Sequence, residues 1–431
     1  MMRILYDIGL FVFALFYLPA FFLKGKHREG FLERFGILPV EVKRALAGKR
    51  VLWVHAVSVG EVVQAARLIE VLRGRIRDYR FVLTVTTSAG RGVARKLLKD
   101  EDTVLHFPVD FRACVRSFVR QVSPRAVVVL ETEIWPNLIF ELSERRIPVG
   151  IVNGRISDRA IGKYRAVRNF VKPVLNRLSA IAVQDAAMKQ RFVDLGASPA
   201  LVFVTGNMKF DWQPASEDPE PVRRIEEDLR KAARFLLVAG STHEGEEEIL
   251  FGAVKSLVSR FPHFRLLVAP RHLERIRSIE ERAAQAGLTV KRVSEPAERE
   301  GLGEAWGPDT VLLLDHMGAL ANLYRLADAV FIGGSLVPGF GGHNLVEPAF
   351  FEKPVLFGPH MDDFREIVRE FSRSGACVEV KNGQELEKEL ALLVQDEGKR
   401  KALGRAARQI VLRHQGATRK NVEALLASMA F

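Results

Sequence analysis

From Arg50 onward, short apolar runs alternate with helical patterns, and that alternation constrains the fold more than any other feature of the chain. Seven runs come first, at 51–55, 81–86, 103–107, 126–130, 149–152, 181–183 and 202–204. Most carry no polar alternation, as expected of parallel strands covered by helices on both faces. Helical patterns such as 61–72 and 188–195 separate them. At 213–222 (QPASEDPEPV) the composition turns to proline and acid, which marks a linker. Seven more runs follow, at 235–239, 264–269, 288–291, 311–314, 329–332, 355–357 and 377–380, and a basic helix is expected over 405–429. Two α/β domains with doubly wound, Rossmann-like parallel sheets satisfy this pattern, and 431 residues exceed what one ordinary core covers. Ligands are then expected at the carboxyl ends of the strands, in a cleft that the two domains face.

The first residues obey a different rule. The sixteen residues 8–23 carry no charge, and Lys24, Lys26, His27 and Arg28 follow them. An apolar run with a basic flank reads as an N-terminal membrane-anchor helix (1–28) with the body on the cytoplasmic side. Next to it, 29–36 (EGFLERFG) forms a short amphipathic pattern with Phe31, Leu32 and Phe35 on one side, suited to the membrane interface or to packing on the body. The formal charge of +12 favours an anionic partner. No zinc-finger or RNA-binding aromatic signature accompanies it, which weighs against nucleic acid and leaves an anionic membrane surface or a phosphorylated substrate. Two cysteines, Cys114 and Cys377, argue for a reducing compartment.

Residues placed just after strands carry the chemistry. After the run 329–332 come Gly333, Gly334, Gly339, Gly341 and Gly342, then Asn344 as N-cap of a helix over 345–350. A strand, a glycine loop and a helix start make an anion site, with Gly341 and Gly342 as a phosphate loop. The loop is too long for a dinucleotide fingerprint and lacks the Lys-Ser/Thr of a P-loop. Glu347, three residues after Asn344, suits ribose hydroxyls; its alternative use is a capping box. Gly240, Ser241 and Thr242 form a second anion-type turn, Arg271 supplies a planar cation after Pro270, and backbone around Met317 and Gly318 suits a nucleobase. In the first half, Glu61 opens a helix and reads either as a general base or as a residue matched to the helix dipole. Glu131 and Glu133, with Trp135, end a fully apolar strand, where carboxylates are costly unless partnered. Lys209 follows the last strand of the first series, as a site lysine or an ordinary hinge lysine. No HExxH, no Cys/His pair at ligand spacing and no GxSxG is present, so neither a metal site nor a cofactor is expected.

Eight segments, HAVSVGE, ETEIWPN, VNGRIS, GNMKFD, AGSTHEGEE, APRH, DHMGAL and GGHNLVEP, occur in the order found in 3-deoxy-D-manno-octulosonic acid (Kdo) transferases, and the chain resembles that family over nearly its whole length. The resemblance implies a GT-B fold and an inverting, metal-independent transfer of Kdo from CMP-Kdo to the lipid A precursor at the cytoplasmic face of the inner membrane. It implies Glu61 as catalytic base and Glu131 and Lys209 as transition-state stabilisers. It implies a CMP site of Pro270, Arg271, Met317, Gly318, Ala319, Asn344, Leu345, Val346 and Glu347. Residues 29–212 would then bind the acceptor and 223–431 the donor. Two other readings stay open: a GT-B enzyme using a UDP-sugar on another membrane lipid, and a tethered nucleotide-binding protein without turnover.

Overall fold

The computed structural model describes residues 3, 4, 6–12, 30–214, 220–231, 234–294 and 306–430. Among them every expected apolar run forms a strand. The first sheet holds β1 (Arg50–Ala56), β2 (Tyr79–Val85), β3 (Thr103–His106), β4 (Pro124–Leu130), β5 (Val149–Gly154), β6 (Ala180–Val183) and β7 (Val202–Val204), in the order β3-β2-β1-β4-β5-β6-β7. The second holds β8 (Phe235–Thr242), β9 (Phe264–Pro270), β10 (Thr289–Arg292), β11 (Thr310–Leu313), β12 (Ala329–Ile332), β13 (Val355–Phe357) and β14 (Val378–Glu379), in the order β10-β11-β9-β8-β12-β13-β14. Every pairing is parallel. Each sheet therefore changes winding direction beside its first strand, between β1 and β4 and between β8 and β12. Ligands of such sheets bind at these switch points, outside the carboxyl ends of the strands.

The central strands have no solvent face. Val51 to Ala56 are all buried, as are Ala126 to Leu130. Under the first sheet Trp53 packs on Phe118 with ring centroids 4.9 Å apart, and its Nε1 donates to Thr84 Oγ1 at 2.8 Å. Truncating such a side chain typically costs about 3–5 kcal/mol.

The chain divides into two units, Met1–Asp211 with Gly416–Phe431, and Trp212–Gln415. This departs from a second domain over 223–431 and from one helix over 405–429. Two helices form instead, Glu397–His414 and Ala417–Ser428, broken at Gly416, whose φ of +93° favours glycine. The second helix buries Val422 and Leu425 in the core of the first unit, where Leu425 lies against Gly150; a Cβ on that glycine would stand 2.4 Å from Leu425 Cδ2. Asp211 fixes the start of this helix by accepting from the backbone N–H groups of Gly416 and Thr418. The expected linker is also shorter. A helix spans Glu220–Lys231, with Val222 and Ile225 fully buried in the second unit, while 215–219 lie outside the described residues.

The segment 29–36 yields the helix Phe31–Arg34, which holds to the body by its polar side. Glu33 is buried, accepts from His106 N at 2.7 Å and pairs with Arg91 at 2.9 Å, whereas Leu32 is exposed. Of the expected anchor, residues 1, 2, 5 and 13–28 lie outside the described residues. Residues 6–12 are helical; Tyr6 Oη donates to Asp110 at 2.9 Å and Asn137 Nδ2 donates to Asp7 at 2.6 Å. Among the described residues no helix is long and apolar enough to cross a membrane.

Candidate functional site

In the first unit the candidate residues collect at the switch point. Ser58 caps the helix Val59–Arg73 that leaves β1, and Glu61 completes a capping box with it. The Glu61 carboxylate accepts from Val57 N at 2.9 Å, Ser58 N at 3.2 Å and Ser58 Oγ at 2.8 Å. Glu61 is thus a helix cap, and it is also a buried carboxylate facing others. Burial, and then the charge of Glu131, raise its pKa above the ordinary carboxylate value.

Glu131 begins the loop after β4 with a φ of +55°. A non-glycine residue held there stores about 1–3 kcal/mol of strain, a cost that persists where the surroundings over-determine it. Its amide donates to Val152 O at 2.9 Å, and Thr132 Oγ1 accepts from Arg155 N at 2.8 Å, which ties the loop to the one after β5. Although Glu131 ends an apolar strand, it is half-buried, and Glu61 is the buried carboxylate, 8% exposed. Glu133 is half-buried too. Burial first, then Glu61 and Glu131, push its pKa up to about 7. Three carboxylates in one another's field form a group that tends to hold a proton.

Lys209 is half-buried on the short turn Met208–Asp211. That turn is aimed by Asn153, a fully buried residue with a φ of +55°. Asn153 Oδ1 accepts from Met208 N at 3.0 Å, its Nδ2 donates to Gln64 Oε1 at 2.9 Å, and its N–H donates to Asn421 Oδ1 at 3.0 Å. One side chain therefore joins the helix of Glu61 to the turn of Lys209. Sequence reasoning passed over Asn153 although it lies within VNGRIS, directly after a strand.

In the second unit Pro270 ends β9, and Arg271 is exposed with its N–H donating to Thr242 O at 3.0 Å. Among the described residues the Arg271 guanidinium has no carboxylate partner. Met317 is 69% exposed next to Gly318. Ala319, Leu345 and Val346 are buried, so any contact they make with a ligand is through the backbone. Asn344 Oδ1 accepts from Val346 N at 3.1 Å, and its Nδ2 donates to Glu347 Oε1 at 3.0 Å. This side-chain pair replaces the alternative capping box. Burial pushes Glu347 up to about 7.

The anion-loop expectation needs correction. Gly240, Ser241 and Thr242 belong to β8, not to a turn. A Cβ on Gly240 would stand 2.0 Å from Tyr324 Oη, and Thr242 Oγ1 donates to Glu247 Oε1 at 2.9 Å, so both serve packing. The first turn of the glycine loop after β12 is already filled. The buried carboxylate of Glu246 accepts from His243 N (2.9 Å), Gly334 N (2.7 Å), Ser335 N (2.9 Å) and Leu336 N (2.9 Å). Gly342 N donates to Gly334 O at 2.7 Å, while Gly341 and Gly342 keep left-handed backbones. The helix expected over 345–350 has five residues, Val346–Phe350, too short for a useful dipole. Among the described residues no cluster of His, Cys, Asp or Glu could hold a metal ion.

Known families resemble the chain in both units. Residues 29–212 match the family model of 3-deoxy-D-manno-octulosonic-acid transferase (kdotransferase), and residues 241–410 match that of glycosyl transferases group 1. The 3-deoxy-D-manno-octulosonic acid transferase of Haemophilus influenzae is 32% identical over 407 residues, covering 93% of this chain and 91% of that protein. The transferase of the same description from Chlamydia trachomatis serovar A is 30% identical, covering 79% and 76%. Among solved structures, the UDP-GlcNAc 2-epimerase of Neisseria meningitidis superposes with a TM-score of 0.59 at 14% identity, covering 88% of this chain and 100% of that one. A glycosyltransferase of Rickettsia africae gives 0.57 at 13% identity, covering 87% and 97%. At such identities the two structures share the fold alone, which is that of GT-B-like proteins.

Proposed function

The chain belongs to the 3-deoxy-D-manno-octulosonic acid transferase family of glycosyltransferases, and from that premise we propose that it moves Kdo from CMP-Kdo to the 6′-hydroxyl of the lipid A precursor, with inversion. The observation that carries the reading is the carboxylate group at the switch point of the first sheet. Glu61 takes the proton of the attacking hydroxyl. Its two backbone donors and the Ser58 hydroxyl fix the carboxylate in place, and the neighbouring charge of Glu131 raises its appetite for a proton. Glu131 faces the positive charge that grows at the anomeric carbon as the bond to phosphate lengthens, the same demand met by carboxylates in glycoside hydrolysis. Lys209 balances negative charge on the departing group.

The second unit holds the donor. Arg271, without a carboxylate of its own, pairs with the phosphate; Glu347 and Asn344 take the ribose hydroxyls; exposed Met317 lies along the base. The first unit takes the acceptor. Residues 8–23 anchor the protein in the inner membrane, and the basic flank after them holds it to the anionic cytoplasmic face.

Mass spectrometry of lipid A precursor incubated with CMP-Kdo and this protein tests the reading. Product heavier by Kdo is expected, and E61Q should form it about 10²–10⁴-fold more slowly. Protection from thermal unfolding by CMP and not by UMP or UDP is expected as well. Protection by the uridine nucleotides instead would point to a UDP-sugar donor.

A further inference from the structure

The roles assigned above leave unused a group of imidazoles at the switch point of the second sheet. His243 directly follows β8, and His343 lies in the loop after β12. Their Nε2 atoms are 2.9 Å apart and their rings lie within 8° of parallel. Phe340 stacks on His243 with centroids 4.0 Å apart, and the His272 ring stands edge-on to it at 5.7 Å. Gly334 sits under both: a Cβ there would be 3.2 Å from each ring.

Two ring nitrogens at this distance need one N–H and one lone pair, so the pair shares a proton. In the neutral pair the remaining nitrogens are one N–H and one bare lone pair. Neither Nδ1 has a hydrogen-bond partner among the described residues. One added proton would turn both Nδ1 positions into donors.

Cations predominate around the pair, although Asp363 lies against Gly341 in the loop that carries His343. Arg271, His272 and Arg275 face the pair from the segment after β9. From the helix Glu246–Arg260, Glu246 is spent on four backbone N–H groups, and Glu247 is spent on Arg275 through two 3.0 Å bonds. Glu274 approaches His272 at 3.5 Å. Burial first, and then these cations, hold His243 down to about 4 and His343 down to about 3. The free site is therefore positive through Arg271 and short of one proton, and an incoming anion removes the reason for that shortage.

We propose that His243 and His343, beside Arg271, form an anion subsite that receives a phosphate or carboxylate oxygen of the donor and takes up one proton as it binds. The proposal rests on the reading of the second unit as the donor site. It names the residues that meet the charged end of the donor, apart from those that meet base and ribose.

Isothermal titration calorimetry of the full chain, in buffers of different ionisation enthalpy, tests it. Three ligands serve: cytidine, cytidine 5′-methylphosphate (a diester that does not titrate near neutral pH) and CMP-Kdo. Uptake of a proton with the diester, and affinity falling about tenfold per pH unit as pH rises above the free pair's values of about 4 and about 3, supports a phosphate occupant. Uptake with CMP-Kdo alone supports the carboxylate. H343Q and H243N, checked for unchanged unfolding midpoints, should abolish the uptake and flatten the pH dependence while leaving cytidine binding intact. Binding without proton uptake, or uptake that survives both substitutions, overturns the subsite while leaving the donor reading standing. Failure of all three ligands to bind the folded protein overturns the donor reading and the subsite with it.

Discussion

At the scale of single residues, Glu61 caps a helix and is also the proposed base, two roles that substitution can separate. Glutamine at 61 cannot accept the substrate proton, and its NH₂ group would face an N–H that the carboxylate now satisfies. E61Q should lose about 10²–10⁴-fold in transfer, and also about 1–3 kcal/mol of stability from the unpaired donor. Turnover and the denaturant midpoint check the two effects separately. Glu131 has no hydrogen-bond partner for its carboxylate among the described residues, and it repels Glu61 and Glu133. E131Q should therefore leave the midpoint unchanged or raise it while transfer falls. With one negative neighbour removed, Glu61 ionises more readily, so the acid limb of the pH–rate profile should move to lower pH. A limb that stays in place would show that the two carboxylates do not communicate.

At the scale of elements, all the strands were legible because a buried parallel strand leaves an unbroken apolar run, and the residues that follow a strand end up at its carboxyl edge. Glu61, Glu131 and Arg271 could be located on that ground alone. The glycine loop could not be read correctly, since its amides look the same whether a ligand or a side chain fills them. The filling group, Glu246, stands 88 residues before Gly334 in sequence, and nothing local connects the two. Asn153 was missed for the same reason: its partners Gln64, Met208 and Asn421 come from three distant segments. The Glu246 tie yields its own prediction. E246A leaves four backbone donors without an acceptor, at about 1–3 kcal/mol for each that stays unsatisfied. The second unit should lose most of its cooperative unfolding, and amide exchange at Gly334, Ser335 and Leu336 should accelerate most. Unchanged exchange at these three amides would mean that water or other groups replace the carboxylate.

At the scale of the molecule, the groups with the most displaced pKa values are divided unequally. The first unit buries Asp110 and Glu133, each raised to about 7, and His55, lowered to about 3. The second buries Glu347, raised to about 7, and His243 and His343, lowered to about 4 and about 3. A raised carboxyl keeps a proton that the unfolded chain has released, so its contribution is greatest in acid and is lost as pH rises towards 7. A lowered imidazole contributes above its unfolded pKa and loses that contribution as pH falls. Between about pH 4.5 and 6.5, the two imidazoles should therefore make the second unit gain less from acid than the first, although its raised Glu246 and Asp328 offset them in part. Calorimetry should resolve two transitions with different pH dependences, and H343Q should make those dependences more alike. Parallel movement of both would contradict this division. The return of the helix Ala417–Ser428 to the first unit bears on how the protein is made. Synthesis delivers β1 to β7 early, yet the helix that covers Gly150 and accepts from Asn153 leaves the ribosome only after the whole second unit has been translated. Until then the nascent first unit exposes an apolar strip along β5 and β6 and lacks the bond that helps fix Asn153. Completion of the first unit thus waits on translation of the second, and a chain stopped before Gly416 leaves Gly150 uncovered and Asn153 without its bond to Asn421.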